Sequence, residues 1–524
     1  MTMNRRIPAL TALMMLMGSI LSHAQENQAQ AKGFYKDMQY IGNIQHASSN
    51  PTAISSAVFD IVDLNIGTGY DNGKFHEINA PSAHFRAGGE IYGARKLKNI
   101  DFEGTIKYSN ESLKEKVWRS TLYVDGDNPF FLADTIAGDN KIETFLVEGG
   151  FSYRFAKGWR AGLSATYNVG SLSDQFDPRP DTRSMSFRIT PGFDYTFGNF
   201  TIGLSGYAEW LSENTSYIKV GLENKNNTIF IFRGMGKPVT QVVDINSGWR
   251  RDYSGTAYGA DIQFVWDDRE TLANMLEASL DIDKESAVDG GSRFRFLGGD
   301  YTGTTIGAKD RFQIKSGNMV HNISLEAEIK NVIGVWFTQV AKSDETGLTI
   351  YEIKEELISH EEKKTGINAG YRMDILKDGY PSLSWKVNAG YLSAAMTQYP
   401  EEYTRGWSTV YADADITKSF RIKNTILGIN LAGSYNHGLS SELEINPQGT
   451  RFNRTYHQPE IDYLAAGCFS AGGEVFFNIP LSTRKSIIWL GCHLRDRYYR
   501  CTDAESTYTN ASRNILQAVI NLTF

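Results

Sequence analysis

Several side-chain types in the sequence could do chemistry, but their spacing matches no common catalytic or metal-binding pattern. The 9 histidines are scattered, and none forms the His-Glu-x-x-His pairing that holds zinc on a helix. His84 and His493 are therefore interpreted as polar lining residues rather than as metal ligands. Serine is too common for any one position to indicate a Ser/His/acid nucleophile. The sequence predicts no enzyme, no catalytic residue, no metal site and no cofactor.

The 3 cysteines give a separate hypothesis about redox chemistry. Cys468, Cys492 and Cys501 lack the Cys-x-x-Cys spacing of metal and redox motifs. We expect at most one disulfide, between Cys492 and Cys501. The alternative is that the cysteines are small strand residues with free thiols.

Two acidic stretches carry the carboxylates that Ca²⁺ prefers. One is Asp125-Gly126-Asp127-Asn128, and the other contains Asp281, Asp283 and Asp289. Neither fits the twelve-residue calcium-loop pattern. Solvated turns are therefore the favoured interpretation of both stretches.

Charged residues recur at every second position of many segments, alternating with apolar ones. Successive side chains of a strand point to opposite faces of its sheet, so each such segment has one apolar and one polar face. In a wide barrel the polar faces would surround water. The predicted lumen-lining residues are Glu148, Arg154, Arg160, Arg188, Asp194, Glu326, Glu328, Arg372, Lys386, Asp413 and Asp415.

The elements that must position these charges are strands, because the period of two recurs from about residue 57 to residue 524. In one example Phe187, Ile189 and Phe193 share a face, and Gly198-Asn199 then supplies a tight turn. Pro191 in the same segment cannot donate to a sheet ladder, so we expect a bulge or kink there. The predicted strands are 57–70, 82–96, 100–111, 143–156, 159–173, 184–197, 200–212, 256–268, 272–284, 304–316, 319–336, 363–376, 382–396, 405–418, 423–437, 461–479, 485–499 and 512–524.

Short connections alternate with long ones along this series. Turns such as 157–158 and 198–199 are brief, whereas 113–142, 213–255, 337–362 and 438–460 are long. Outer-membrane barrels have this asymmetry together with an even strand count. No segment after the N-terminus has the ~20 apolar residues of a membrane helix. The predicted fold is all-β: a transmembrane antiparallel up-and-down β-barrel of about eighteen strands, with a range of 16–20.

The last strand supports the same prediction. Ala518, Ile520, Leu522 and Phe524 share a face, and this ending resembles the closing strand and assembly signal of Gram-negative outer-membrane barrel proteins. Residues 57–524 are similar in architecture to poorly characterised members of that group. The resemblance implies location in the outer membrane and contact with its lipid, but no known substrate.

The N-terminal region is expected to contain two segments before the barrel. Residues 1–24 combine Arg5 and Arg6, an apolar core and Ser22-His23-Ala24, which is typical of a cleaved secretory signal. An N-terminal membrane anchor is the alternative. Residues 25–56 are polar and lack strand periodicity, so they are interpreted as a periplasmic N-terminal segment or a partial plug, and 57–524 as the barrel.

A short motif gives a second resemblance. Asn50-Pro51-Thr52-Ala53 precedes the first strand and resembles the Asn-Pro-Ala element of the long-chain fatty-acid transporter superfamily, with Thr52 interrupting the match. That resemblance implies a plugged lumen and a hydrophobic cargo. The predicted strand number is larger than is usual in that superfamily.

A channel or transporter for small solutes is the predicted function. The net charge of −7 argues against nucleic acid as a partner. The alternatives are an accessory or adhesion barrel that partners another outer-membrane protein and, less favoured, an outer-membrane hydrolase. Loop 213–255 is expected to form a surface hairpin, to fold inward as a constriction, or to add two membrane strands.

Overall fold

The computed structural model describes residues 33–56, 60–222, 227–234, 236, 238–290, 295–343, 345, 349–400, 403–444, 452–482, 487–504 and 506–524. The predicted signal at 1–24 lies outside the described residues. So does the first part of the segment 25–56.

Within the described residues, twenty strands form one antiparallel sheet that closes on itself. Closure joins the first strand to the last: Asp63–Gly73 pairs with Arg513–Thr523. The strands are β1 (Ile61–Gly73), β2 (Ala83–Lys96), β3 (Ile100–Arg119), β4 (Leu132–Ala156), β5 (Trp159–Ser173), β6 (Arg179–Phe197), β7 (Phe200–Ile218), β8 (Thr228–Ile231), β9 (Val239–Val242), β10 (Trp249–Asp267), β11 (Leu272–Gly290), β12 (Arg295–Ser316), β13 (Met319–Ser343), β14 (Thr349–Lys377), β15 (Tyr380–Gln398), β16 (Tyr403–Ile422), β17 (Thr425–Glu444), β18 (Cys468–Ser482), β19 (Ile487–Cys501) and β20 (Ser512–Thr523).

Eighteen of these described strands form the barrel wall, because β8 and β9 pair mainly with each other in the connection between β7 and β10. The prediction of an all-β antiparallel barrel of about eighteen strands is confirmed. The alternative in which loop 213–255 adds two membrane strands is wrong, since β7 pairs directly with β10.

The period of two has the expected structural consequence. On β6 the side chains of Phe187 and Phe193 are 38% and 54% exposed, whereas the alternating Ser186 and Asp194 are 5% and 3% exposed. Apolar side chains therefore cover the outside of the wall, and closure leaves no unpaired strand edge. Both features are needed in hydrocarbon, where an unpaired backbone N–H or C=O has no water to bond.

The strand ends next to short turns match the prediction within a few residues, but the opposite ends extend further. The segments predicted as 143–156 and 363–376 are Leu132–Ala156 and Thr349–Lys377. A bilayer needs only ~9–11 residues of each strand, and beyond that depth the apolar alternation is no longer required. By the outer-membrane pattern, short turns mark the periplasmic end and long connections the outer end.

Two local predictions need correction. The strand predicted from residue 461 begins too early, because Gln458–Leu464 is a helix with Pro459 in its first turn. Pro191 causes no bulge: the register with β7 is the same on both sides of it, and only the pairing at 190–191 is interrupted.

The helices of the described residues are short and lie at the two ends of the barrel. At one end are α1 (Tyr35–Gly42) and the 3₁₀ helices Ile44–Ala47 and Pro51–Ser56. At the other end the π-helical turn Asn453–His457 leads into α2 (Gln458–Leu464). No helix among the described residues is long and apolar enough to cross a membrane.

Candidate functional site

The N-terminal segment (residues 33–56) lies inside the barrel at the end that carries the short turns. At its start Phe34 stacks on Tyr380 of β15 and meets Phe476 of β18 edge-on, with ring centroids 5.4 and 6.0 Å apart. Near its end the side-chain amide of Asn50 donates to the carbonyl of Phe193 on β6 at 3.2 Å. The segment therefore crosses from one side of the wall to the other.

The wall holds the middle of this segment by its main chain. Arg311, 4% exposed, donates to the carbonyl oxygens of Tyr40, Asn43 and Ile44. Gln313, two residues along β12, donates to the carbonyl of Ile41 at 3.0 Å. The carbonyls of Tyr40 and Ile41 belong to the last turn of α1, where backbone acceptors have no intrahelical partner.

Side chains of the segment add further contacts. The Glu277 carboxylate on β11 accepts from the Ser48 and Ser49 hydroxyls at 2.7 and 3.1 Å. Asp37 of α1 pairs with Arg372 at 2.8 Å. The contacts are spread around the wall, so they hold the segment across the lumen rather than along one strand.

A glycine on the wall permits this close approach. A Cβ at Gly162 would lie 2.6 Å from the carbonyl carbon of Pro51 and from the nitrogen of Thr52. Any larger residue would push the backbone of the N-terminal segment away from β5.

The outer loop (residues 120–131), which joins β3 to β4, folds into the barrel from the opposite end. The carboxylate of Glu213 on β7 accepts the backbone N–H groups of Leu122 and Tyr123 at 3.0 and 2.7 Å. The carboxylate of Glu285 on β11 accepts a hydrogen bond from the side-chain amide of Asn128 at 2.7 Å. Two wall carboxylates thus fix the path of the loop.

Lysines of the wall hold the tip of the same loop. The Nζ of Lys330 lies 2.9 Å from Asp125 and 2.8 Å from Asp127, and Lys364 also pairs with Asp127. Burial raises the pKa of Asp127, but Lys364 and Lys330 outweigh that effect and hold the pKa below its usual range. The two aspartates of the first acidic stretch, Asp125 and Asp127, are thus salt-bridged to lysine in this structure, whereas Asp289 of the second stretch pairs with Arg251.

An aromatic cap lies beside the outer loop. Its members are Trp118, Phe131, Phe232, Phe452 and Tyr456. Trp118 lies at the end of β3 and the other members come from three separate connections. Phe131 stacks on Phe232 with ring centroids 4.2 Å apart. The cap joins the outer loop to the hairpin of β8 and β9 and to the connection before β18.

His457 packs against this cap without exposure to solvent. Its Nδ1 lies 2.7 Å from the Tyr403 hydroxyl. Burial, with Arg405 nearby, lowers the pKa of His457 to about 3. The imidazole is therefore neutral at physiological pH.

A cavity of about 640 Å³ lies between the N-terminal segment and the wall formed by β14 to β20 and β1. Charges of both signs line it, together with the aromatic rings of Phe34 and Phe476. The charged lining residues include Asp37, Arg372, Lys386, Asp415, Glu474 and Arg495. Such a surface suits small polar solutes better than an apolar chain.

The structure brings several of the proposed lumen-lining residues together in pairs. Arg160 lies 2.7 Å from Asp194 and also donates to Gln45 of the N-terminal segment at 3.1 Å. Lys386 and Asp415 are 3.9 Å apart on neighbouring strands.

The remaining members of that set are distributed around the wall. Arg188 pairs with Glu209 at 2.6 Å, and Asp413 accepts from Asn388 at 2.8 Å. Arg372 pairs with Asp374 at 2.7 Å. Glu148 and Arg154 lie on β4, and Glu326 and Glu328 on β13.

The expected disulfide between Cys492 and Cys501 is not formed, and the thiols are free in this structure. Cys492 lies opposite Phe477 on one neighbouring strand and opposite Ile520 on the other. Cys501 is nine positions further along the same extended strand, which is too far for a bridge.

Sequence reasoning missed the residues that fix the two inward segments, namely Arg311, Glu277, Glu213 and Lys330. The strands and faces of Arg311, Glu277 and Lys330 follow from the alternation, whereas Glu213 lies just beyond the predicted strand 200–212. Their partners do not follow from the alternation, because the partners lie on segments without periodicity.

The model of the Family of unknown function (DUF6850) matches residues 51–524. No curated protein sequence matches the chain. Among solved structures, the chain is similar to BauA, the ferric preacinetobactin receptor from Acinetobacter baumannii, with 8% identity, a TM-score of 0.40, and coverage of 89% of this chain and 80% of that one. The chain is also similar to the outer membrane transporter YddB from Escherichia coli, with 8% identity, a TM-score of 0.39, and coverage of 89% of this chain and 81% of that one. For the RagAB peptide transporter the identity is 7%, the TM-score is 0.42, and the coverage is 89% of this chain and 87% of that one.

These three structures are described as a ferric preacinetobactin receptor, a peptide transporter and an outer membrane transporter. The likeness concerns a large antiparallel barrel, and the cargoes belong to those proteins. The expected resemblance to the long-chain fatty-acid transporter superfamily has no support from these matches.

Proposed function

The chain belongs to DUF6850, a family of unknown function, and we propose that it passes small polar solutes across the outer membrane through a lumen gated by its N-terminal segment. The observation that carries this proposal is the charged cavity of about 640 Å³ beside that segment. Eighteen-stranded barrels are wide enough to enclose water, so the residues that cross the lumen decide what passes.

The proposed pathway runs past the wall charges that face this interior. Its selectivity would come from the eleven proposed lumen-lining residues, which carry charges of both signs. The apolar cargo suggested by the motif at 50–53 is not favoured, because most of the residues that line the cavity are polar or charged. We also propose that residues 1–24 are a cleaved signal and that 25–56 act as the partial plug.

A second candidate function rests on a separate observation. Both the outer loop and the N-terminal segment are held inside the barrel by buried polar contacts. An accessory barrel that partners another outer-membrane protein would need no open passage, and a permanently filled lumen would suit it.

Solute flux into proteoliposomes distinguishes these candidates. The full chain and a variant lacking residues 33–50 would be tested with a cationic, an anionic and an uncharged small solute. Transport predicts slow entry with the full chain and fast entry with the variant, with rates that differ among the three solutes. Equal, negligible entry with both proteins would favour the accessory barrel.

A further inference from the structure

Two cysteines occupy directly opposite positions at the outer end of the barrel. Cys468 is the first residue of β18 and Cys501 the last residue of β19, and the register pairs them. The backbone N–H of Thr502 donates to the carbonyl of Gly467 at 2.8 Å. This bond joins the residues that flank the two cysteines, which identifies Cys468 and Cys501 as a non-hydrogen-bonded pair.

That position suits a disulfide. Residues in a non-hydrogen-bonded antiparallel pair have Cα atoms ≈ 4.5 Å apart and side chains on the same face. Disulfides accept Cα separations of 4.4–6.8 Å. The two strands are therefore already in a geometry that a bridge requires, without movement of the backbone.

The surroundings also favour a bridge between these two residues. Cys501 is 1% exposed and Cys468 is partly buried, and both pack beside Phe75, Tyr463 and Tyr508. A thiol in this setting meets few competing partners other than the facing cysteine. Outer-membrane barrels pass through the periplasm, where disulfides form and persist.

We propose that Cys468 and Cys501 form a disulfide when the folded barrel meets a disulfide oxidant. The thiolate of one cysteine attacks a sulfur of the oxidant, forming a mixed disulfide and releasing one thiol. The thiolate of the second cysteine then attacks the Sγ of the first cysteine. This step forms the bond between Cys468 and Cys501 and breaks the bond to the oxidant's sulfur, which leaves and is protonated to the second thiol. The two cysteines lose two electrons and two protons, and the oxidant is reduced to two thiols.

The bond would fix the bases of two outer connections. Cys468 ends the connection that contains α2, and Cys501 begins the connection between β19 and β20. These connections already touch, since the carboxylate of Asp462 accepts the backbone N–H of Thr507 at 2.9 Å. A disulfide at their bases would hold this part of the outer end in one arrangement.

Cys492 supplies an internal control in the same chain. Its facing residues are Phe477 and Ile520, so no cysteine lies opposite it. It is expected to stay a free thiol under every condition that oxidises the pair.

Peptide mapping of the full, folded protein tests the inference. Samples isolated in the presence of an alkylating agent, and samples first incubated in mild detergent with oxidised glutathione, would be digested without reductant. We expect a linked peptide joining residues 468 and 501, with Cys492 alkylated, and loss of the linked peptide on reduction. The variant C492S should keep the linked peptide and C468S should lose it.

Alkylation of both Cys468 and Cys501 after glutathione treatment of the folded barrel would overturn the inference. So would a linkage of either residue to Cys492. Formation of the 468–501 peptide only after glutathione treatment would still support it, because the oxidant would then be the missing component.

Discussion

The N-terminal segment and the outer loop both enter the barrel, but the wall holds them in different ways. The outer loop is continuous with the wall at both ends, through β3 and β4. Its tip carries the partly buried carboxylates of Asp125 and Asp127, which pair with Lys330 and Lys364. The N-terminal segment is continuous with the wall at its C-terminal end, where β1 begins, and Arg311 and Gln313 hold it mainly by its carbonyl oxygens.

This difference indicates which region moves. Removing the outer loop from the interior would break the ion pairs of Asp125 and Asp127 with lysines of the wall. It would also leave the buried carboxylates of Glu213 and Glu285 without their donors, which is costly. Releasing the N-terminal segment would expose neutral carbonyls and a few side chains to water, which can replace their hydrogen bonds. We therefore regard the outer loop as a fixed constriction and the N-terminal segment as the gate.

The largest expected effect is on the outer loop. The variant Lys330→Met removes the ammonium group that pairs with Asp125 and Asp127. It should destabilise the folded arrangement of the loop by about 2–3 kcal/mol. Hydrogen exchange of the amides of residues 121–130 would rise roughly 100-fold, while the N-terminal segment stays protected.

Lys386→Met is the matched control for that variant, because Lys386 is a wall lysine that pairs at 3.9 Å with Asp415. It should leave exchange in 121–130 unchanged. Equal exchange of the loop in Lys330→Met and in the unmodified chain would contradict the role assigned to the lysine.

A somewhat smaller effect is expected for the N-terminal segment. Arg311→Ala removes charged donors from three carbonyls and should loosen the segment by about 2 kcal/mol. Exchange in residues 35–50 would rise roughly 30-fold without a change in the outer loop. Arg188→Ala is the control: it removes a wall arginine paired with Glu209 and should leave hydrogen exchange in both regions unchanged. Faster hydrogen exchange in both regions after Arg311→Ala would show that they move together.

The acid response of the outer end is the third prediction. His457 has a folded pKa of about 3, whereas an unperturbed histidine titrates near 6.5. As the pH falls from 7 to 5, the opened state gains a proton that the closed state does not bind. The packing around α2 should therefore lose about 2 kcal/mol of stability over this range.

Hydrogen exchange of residues 452–464 at both pH values measures this effect, and His457→Gln should abolish the pH dependence there. His46 in the N-terminal segment also has a lowered pKa, through burial and Arg311. His457→Gln should therefore leave the acid response of 33–56 intact. An unaltered pH dependence of 452–464 in the variant would assign the effect to another group.

Much of the fold can be predicted from the sequence because the bilayer imposes a period of two on each strand. The strand Trp159–Ser173 matches its predicted bounds, and turns such as 198–199 are found where expected. The outer extensions of β4 and β14 are not predictable in this way, since strands in water need no apolar face. The helix Gln458–Leu464 was missed because Ile461 and Tyr463 also fit an alternating pattern.

The candidate site is only partly predictable for a different reason. Alternation gives the face of Arg160 and Asp194, but it does not give the register that places them opposite each other. The contact between Arg311 and Tyr40 joins residues more than 200 positions apart. It depends on how a segment without periodicity folds into the barrel.

Single-channel recording in planar bilayers tests the central claim most directly. The full chain should give rare, brief openings, and the variant lacking residues 33–50 should give a sustained current that increases with salt concentration. Sustained currents of equal size from both proteins, or no current from either, would contradict a lumen gated by the N-terminal segment.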